Sequence, residues 1–220
     1  MNISVAIDGP AGAGKSTIAK IIGEKFNLMY INTGAMYRAV TLKAMNANVS
    51  ENDVNDLVKL VKSLEMHFEK DNLFVNNEDL TDMINMPIIS NNVSKYAAVP
   101  EIREILVMLQ QNIAKKFNVI MDGRDIGTVV LKDATFKFYL TASSEERAKR
   151  RYEELILKAI DVDYNAILRD IIKRDYIDSH RAVSPLTKAI DAIEIDSSAL
   201  DINGVVKAIE SCINSKTKIK

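Results

Sequence analysis

Gly9, Gly14, Lys15 and Ser16 fit the spacing G-x-x-x-x-G-K-[ST] inside the stretch VAIDGPAGAGKSTIAK, residues 5–20. An apolar run leads into the glycines and a helix-like pattern leaves them, the context that a phosphate-binding loop (P-loop) requires. Glycines let successive backbone N–H groups curl around an anion, and a helix N-terminus adds its positive dipole end. Lys15 is placed to reach β/γ-phosphates, and the Ser16 hydroxyl to ligate Mg²⁺. The competing reading is a glycine turn with an incidental lysine. A chance match in a chain of this composition is on the order of one percent, before the flanking strand and helix are required. The pattern therefore predicts a nucleoside triphosphate site, with Gly9, Pro10, Ala11, Gly12, Ala13, Gly14, Lys15, Ser16 and Thr17 as its cradle.

The loop alone does not say what becomes of the phosphate, because kinases, motors and GTP switches share it. The guanine-reading tetrapeptide N-K-x-D does not occur, and 220 residues leave little room for a motor's coupling elements. Arginines near turns and helix ends suit a second, phosphorylated substrate, since a guanidinium grips phosphate oxygens with two prongs. In NTGAMYR, Thr33 and Arg38 bracket a glycine turn at the end of an expected strand, the side where open α/β sheets bind ligands. In VIMDGRDIGT an apolar strand delivers Asp122 as a Walker-B carboxylate would be delivered, and Arg124 and Asp125 follow on the loop. In RDYIDSHR, Arg174, Asp178 and Arg181 fall at i, i+4 and i+7, one stripe of a helix. A surface salt-bridge ladder explains that stripe equally well.

The elements that must position these residues alternate in type. Strands are expected over Ile3–Ile7, Leu28–Ile31, 118–122, 135–140 and 192–196. Helices are expected over Ser16–Phe26, Gly34–Ala47, Pro100–Phe117, Ser143–Lys158, Tyr164–His180 and Asp201–Ser215. Ser50 with Asp53 resembles a capping box opening a further helix. Strands separated by helices predict an α/β fold, a parallel sheet covered by helices on both faces. The texture changes at MHFEKDNLFVN, which alternates around Lys70-Asp71-Asn72 and predicts a hairpin. Residues 65–100 read as an insertion between core segments 1–64 and 101–220, and SKTKIK as a frayed tail.

Composition narrows the function classes. A net charge of −1 argues against general nucleic-acid or membrane-surface binding. A single cysteine, Cys212, rules out an intrachain disulfide and a cysteine zinc cluster, and two histidines, His67 and His180, cannot build a histidine-rich metal site. No apolar run approaches a membrane span and no signal peptide is evident, so a soluble cytoplasmic protein is expected.

Taken together, IDGPAGAGKST, NTGAMYRAVT, DGRDIGT, SSEERAKRR and DSHRAVSPL resemble the bacterial cytidylate kinases, a branch of the nucleoside monophosphate kinases, nearly end to end. The resemblance implies transfer of the γ-phosphoryl of ATP to CMP or dCMP with Mg²⁺. It implies a P-loop core, a monophosphate-binding insert and a mobile lid at about residues 150–163. Arg38 and Arg124 then resemble the grips on the CMP phosphate; Ser94, Arg103 and Asp125 the readers of cytosine; Arg174 and Asp178 the contacts on the sugar side. Arg150 and Arg181 resemble arginines that meet the phosphates as the lid closes, catalytic beside Lys15. Where many members carry Asp before the Thr-Gly of the second motif, this chain has Asn32. A monomer is expected. A kinase of the same fold acting on UMP or a non-nucleotide acceptor, and a non-catalytic ATP-binding regulator, remain as alternatives.

Overall fold

The computed structural model describes residues 2–217. In it, β1 (Ser4–Asp8) leads through the glycine loop to α1 (Lys15–Phe26), and β2 (Met29–Asn32) runs straight into α2 (Thr33–Asn46) and then α3 (Val54–Lys62). A hairpin of β3 (Met66–Glu69) and β4 (Asn72–Val75) follows, with a two-residue β5 (Glu78–Asp79), then α4 (Pro87–Ala97) and α5 (Pro100–Lys116). The alternation resumes with β6 (Val119–Gly123), β7 (Phe136–Thr141), α6 (Ser144–Leu157), α7 (Tyr164–His180), β8 (Ile193–Asp196) and α8 (Ile202–Thr217).

The main sheet has the order β2-β6-β1-β7-β8 with every pair parallel. Val5, Ala6 and Ile7 of β1 and Val119, Ile120 and Met121 of β6 are fully buried. Unbroken apolar runs of this kind need cover on both faces. One face packs on Ile18, Ala19 and Ile22 of α1 and on Val205, Val206 and Ile209 of α8. The other packs on Met36 and Val40 of α2 and on Ile102 and Leu106 of α5. Register then aligns the strand ends: Ile7 lies beside Asp122, Asp8 beside Gly123, and Asn32 beside Asp122. The glycine loop after β1, the start of α2 after β2 and the DGRDIGT turn after β6 all leave this one edge.

Expected and observed elements agree closely, with three differences. Only half of the expected capping box forms: Ser50 N–H donates to Asp53 Oδ2 (3.2 Å), but the Ser50 hydroxyl accepts from Asn52 N–H (3.2 Å), and the helix starts at Val54 behind Asp53. The hairpin turn falls at Lys70-Asp71, as the alternation implied, but a third strand follows across Asn76-Asn77, both with positive φ. Paired asparagines tolerate that left-handed backbone, so the signal for this second tight turn was present. A wide helical turn over Ile126–Val130 had no counterpart in the periodicity. Of the tail, residues 215–217 continue α8 and 218–220 lie outside the described residues. No described helix is long and apolar enough to cross a membrane.

Candidate active site

The glycine loop begins with a contact only glycine permits. Gly9 has φ +146°, and a Cβ there would sit 1.9 Å from the Leu140 carbonyl oxygen of β7. Gly14, with φ +87°, precedes α1 as its cap residue, and no side chain caps that helix end. Its first N–H groups therefore face the loop's concavity, where the helix dipole favours an anion. The Lys15 Nζ donates to the Pro10 carbonyl (2.6 Å), bracing the loop across its mouth. Burial, reinforced by Arg124, pushes the Lys15 pKa well below that of a free lysine. A compensating anion would restore its charged form.

Beside the loop, Asp122 at the end of β6 gathers three hydroxyls. Ser16 Oγ donates to its Oδ2 (2.9 Å), Tyr30 OH to its Oδ1 (2.8 Å), and Thr33 Oγ1 to its backbone oxygen (2.6 Å). A hydroxyl and a carboxylate within one hydrogen bond are the hard oxygen donors Mg²⁺ takes, the rest of its octahedron being substrate phosphates and water. No group of three or more His, Cys, Asp or Glu among the described residues could hold a metal unaided. The donor set therefore fits Mg²⁺ shared with a phosphate chain. Asn32 caps α2, its Oδ1 accepting from Ala35 N (2.9 Å), a local role an aspartate would fill equally.

Nine more of the sequence-predicted residues converge on the same cavity. Thr33, Arg38, Ser94, Arg103, Arg124, Asp125, Arg174, Asp178 and Arg181 line it together with Lys15, Ser16 and Asp122. The stripe on α7 is no surface ladder: Asp178 is buried and accepts from Arg124 Nε (2.8 Å). Burial alone would raise the Asp178 pKa, but Arg124 and Arg174 hold it below the usual carboxylate range. Burial lowers Arg38, Arg174 and Arg181, with Arg174 brought to about 10 by the added repulsion of Arg124. Six basic side chains line the cavity against three carboxylates, in a chain whose net charge is −1. Buried donor atoms Arg38 Nε and Arg174 Nε have no protein acceptor. Orphaned buried donors around excess positive charge are the mark of an anion site.

The Arg103 guanidinium lies 5.2 Å from the centre of the Tyr37 ring, donates to the Ala97 carbonyl (3.0 Å) and pairs with Asp125 Oδ2. Asp125 Oδ1 faces Arg181 Nη2 at 3.7 Å. A flat aromatic, a hydroxyl from Ser94 and a carboxylate flanked by guanidiniums suit a planar polar ring.

Two predicted residues stand apart. Arg150 does not border the cavity; its Nη2 donates to Ser197 O (2.5 Å) and its Nη1 to Ser197 Oγ (3.2 Å), next to the loop at Ala13. Thr17 is exposed on the first turn of α1. Sequence reasoning passed over three others. Tyr37 lay inside a quoted motif. Asp8 ends β1, and its carboxylate accepts from Ile126 N and Gly127 N. Arg147 donates to Ala11 O (3.0 Å) and pairs with Asp175 of α7 (2.6 Å). Each sits in or beside a motif, but nothing in its spacing announces a partner more than a hundred residues away or on another helix.

Comparison with known proteins accords with this geometry. A family model for cytidylate kinase matches residues 5–215. The cytidylate kinase of Clostridium perfringens strain SM101 is 65% identical over 209 residues, covering 95% of this chain and 96% of the relative. That of Clostridium acetobutylicum is 63% identical over 216 residues, 98% and 100% respectively. Among solved structures, an uncharacterized protein from Eubacterium ventriosum superposes with a TM-score of 0.54 at 15% identity, over 98% of this chain and 99% of its own, a likeness of fold alone. By sequence over nearly its whole length, and with a phosphate loop and an arginine-lined acceptor cavity on one sheet edge, the chain belongs to the cytidylate kinase family.

Proposed function

We propose that this chain moves the γ-phosphoryl of ATP to CMP or dCMP, giving ADP and CDP or dCDP. The observation that carries the reading is a cavity lined at once by Lys15 and Ser16 of the glycine loop, by Arg38, Arg103, Arg124, Arg174 and Arg181, and by Asp122, Asp125 and Asp178. The loop from Gly9 to Thr17 holds the ATP phosphates. Arg38 and Arg124 grip the acceptor phosphate; Arg174 and Asp178 lie toward the sugar; Ser94, Arg103 and Asp125 read the base. Ser16, with Asp122, would hold Mg²⁺, which when bound supplies positive charge to the β/γ oxygens.

The chemistry asks mostly for position and charge. The transferring group passes through a state with negative charge spread over its equatorial oxygens. Lys15 and the lid arginines Arg150 and Arg181 stabilise that charge without forming a bond, and no strong base is needed because the acceptor is already a phosphate oxygen. Water must be kept out, or ATP is hydrolysed rather than transferred. Residues 65–100, as an acceptor-binding insert on a core of 1–64 and 101–220, and the lid at about 150–163 close for that reason. Arg150, held at Ser197, reaches the phosphates only after such a movement. The protein works as a cytoplasmic monomer on small molecules.

An ADP-release assay across CMP, dCMP, UMP, AMP, GMP and shikimate tests the reading. The highest kcat/KM is expected with CMP or dCMP. Preference for UMP or shikimate assigns another acceptor, and ATP binding without ADP release with any of them makes the chain a regulator. Hydrogen exchange with a bisubstrate analogue should show new protection in 65–100 and 150–163; unchanged protection in both rules out closure.

A further inference from the structure

We propose that Asp8 is a specificity-positioning residue, whose carboxylate, buried under the phosphate loop, locks the turn that presents Asp125 to the base. This rests on the acceptor reading above. Asp8 is 3% exposed, and each of its oxygens accepts one backbone N–H, Oδ1 from Ile126 and Oδ2 from Gly127, both at 2.7 Å. These are the two N–H groups directly after Asp125. Short bonds to an ionised acceptor are the strong kind, and two of them fix both position and tilt of a peptide plane.

The turn needs such an anchor. Ile126–Val130 is a wide helical turn, with Val129 N and Val130 N both bonded to the Asp125 carbonyl. Asp125 itself has no side-chain cap role there, its φ −143° and ψ 26° lying outside regular structure. Its carboxylate is committed to Arg103 on one side and faces Arg181 on the other. The turn's first two N–H groups would otherwise be buried without acceptors, and the chain supplies one from a residue 118 positions earlier. Among the described residues no lysine or arginine is hydrogen-bonded to Asp8; Lys15 acts on it only through its charge, and both carboxylate oxygens are spent on the turn's N–H groups. It also immediately precedes Gly9, so the loop that holds ATP and the turn that reads the acceptor share one rigid junction.

The test uses Asp8→Asn and, independently, Gly127→Ala. Asparagine keeps the volume and one acceptor oxygen but sets its NH₂ against an N–H. The alanine Cβ would stand 3.3 Å from Asp8 Oδ2 and 3.2 Å from Lys137 Cδ, prising the turn from the other side with Asp8 intact. In each variant that melts cooperatively, KM for CMP should rise about tenfold and the CMP-over-UMP ratio in kcat/KM should fall about tenfold, as expected for a distorted charge-assisted contact. ATP affinity by calorimetry should stay within about twofold. Amides 126 and 127 should lose hydrogen-exchange protection. Unchanged CMP kinetics, or ATP and CMP binding weakened alike with the base ratio preserved, overturns the proposal. If Asp8→Asn fails to fold, Gly127→Ala decides by the same criteria. The unsubstituted enzyme is assayed alongside: if it does not prefer CMP, the acceptor reading has failed, whereas a CMP preference that the variants retain counts against Asp8 alone.

Discussion

On the proposed reading, the donor side of the cavity comes from one contiguous loop, with Ala11, Gly12, Lys15 and Ser16 on the lining, whereas the acceptor side draws on α2, α4, α5, the loop after β6 and α7. The first would bind through backbone N–H groups and one lysine, and its conformation follows from where glycines stand. The second would bind through side chains whose charges must be balanced against each other in a buried space. A backbone cradle tolerates any phosphate chain and so carries no specificity; an assembly of side chains can discriminate, because each member is held by another. Arg103 with Asp125, and Arg124 with Asp178, are positioned by ion pairs before any substrate arrives.

That contrast can be broken first at Lys15. Lys15→Ala should lower kcat/KM by about 10² to 10⁴ with every acceptor alike, since removing a transition-state charge partner costs several kcal/mol. Its melting temperature should change little or rise, because a buried, destabilised ammonium is removed. A steady-state assay across acceptors checks this, and a loss confined to CMP would move Lys15 to the acceptor end.

Next comes Asp125. Cytosine offers an exocyclic amino group where uracil offers a carbonyl, and a carboxylate accepts from the first and repels the second. Asp125→Asn keeps shape and leaves Arg103 a carbonyl partner, while its amide can also donate to uracil. The CMP-over-UMP ratio should narrow by about one to two powers of ten, matching roughly 1–3 kcal/mol per base contact. An equal fall with both substrates would leave base reading to Ser94 and Arg103.

Stability against pH probes the junction between the two ends. Burial raises the Asp8 pKa from 3.8 to about 6, despite the lowering effect of its two backbone bonds. The folded state thus holds the Asp8 proton more tightly than the unfolded chain does. That contribution is fully present below about pH 4 and is lost as pH rises through about 6. Relative to Asp8→Asn, the unsubstituted protein should lose up to about 2–3 kcal/mol of unfolding free energy between pH 4 and pH 7. Urea titrations of both proteins at several pH values measure the difference. Asp178, whose lowered pKa acts in the opposite sense, is common to both and cancels.

The smallest effect is expected where the ends touch at the surface. Lys20 of α1 pairs with Asp71 of the hairpin at 2.8 Å, with both side chains more than 40% exposed. Lys20→Ala should change unfolding free energy by less than about 1 kcal/mol and leave kcat untouched. A larger change would make the insert part of the rigid core.

Much of this was legible in the residues. The glycine spacing, the β/α alternation and the apolar stripe of each helix are local properties, and the local chain obeys them: α7 begins and ends at the residues its pattern implied, Tyr164 and His180. Ser50 shows the limit of local rules, since a hydroxyl has a choice of nearby N–H groups and took Asn52 rather than the helix. The stripe Arg174, Asp178, Arg181 was ambiguous because spacing places residues on one face of a helix without saying what the face meets. Only the tertiary structure, by packing α7 against α6 and α4, turned it into the wall of a cavity.

The chain by itself determined the phosphate loop, the order of strands and helices and the identity of the arginines, because backbone conformation and periodic burial depend on neighbours within a few residues. The tertiary structure alone decided that Asp8 would cap a turn 118 residues away, that Arg150 would be held by Ser197, and that Arg103 would be buried against Asp125. A charge is buried only where an opposite charge or a donor is brought to meet it, and that meeting depends on strand register and helix packing, which no short stretch of sequence contains.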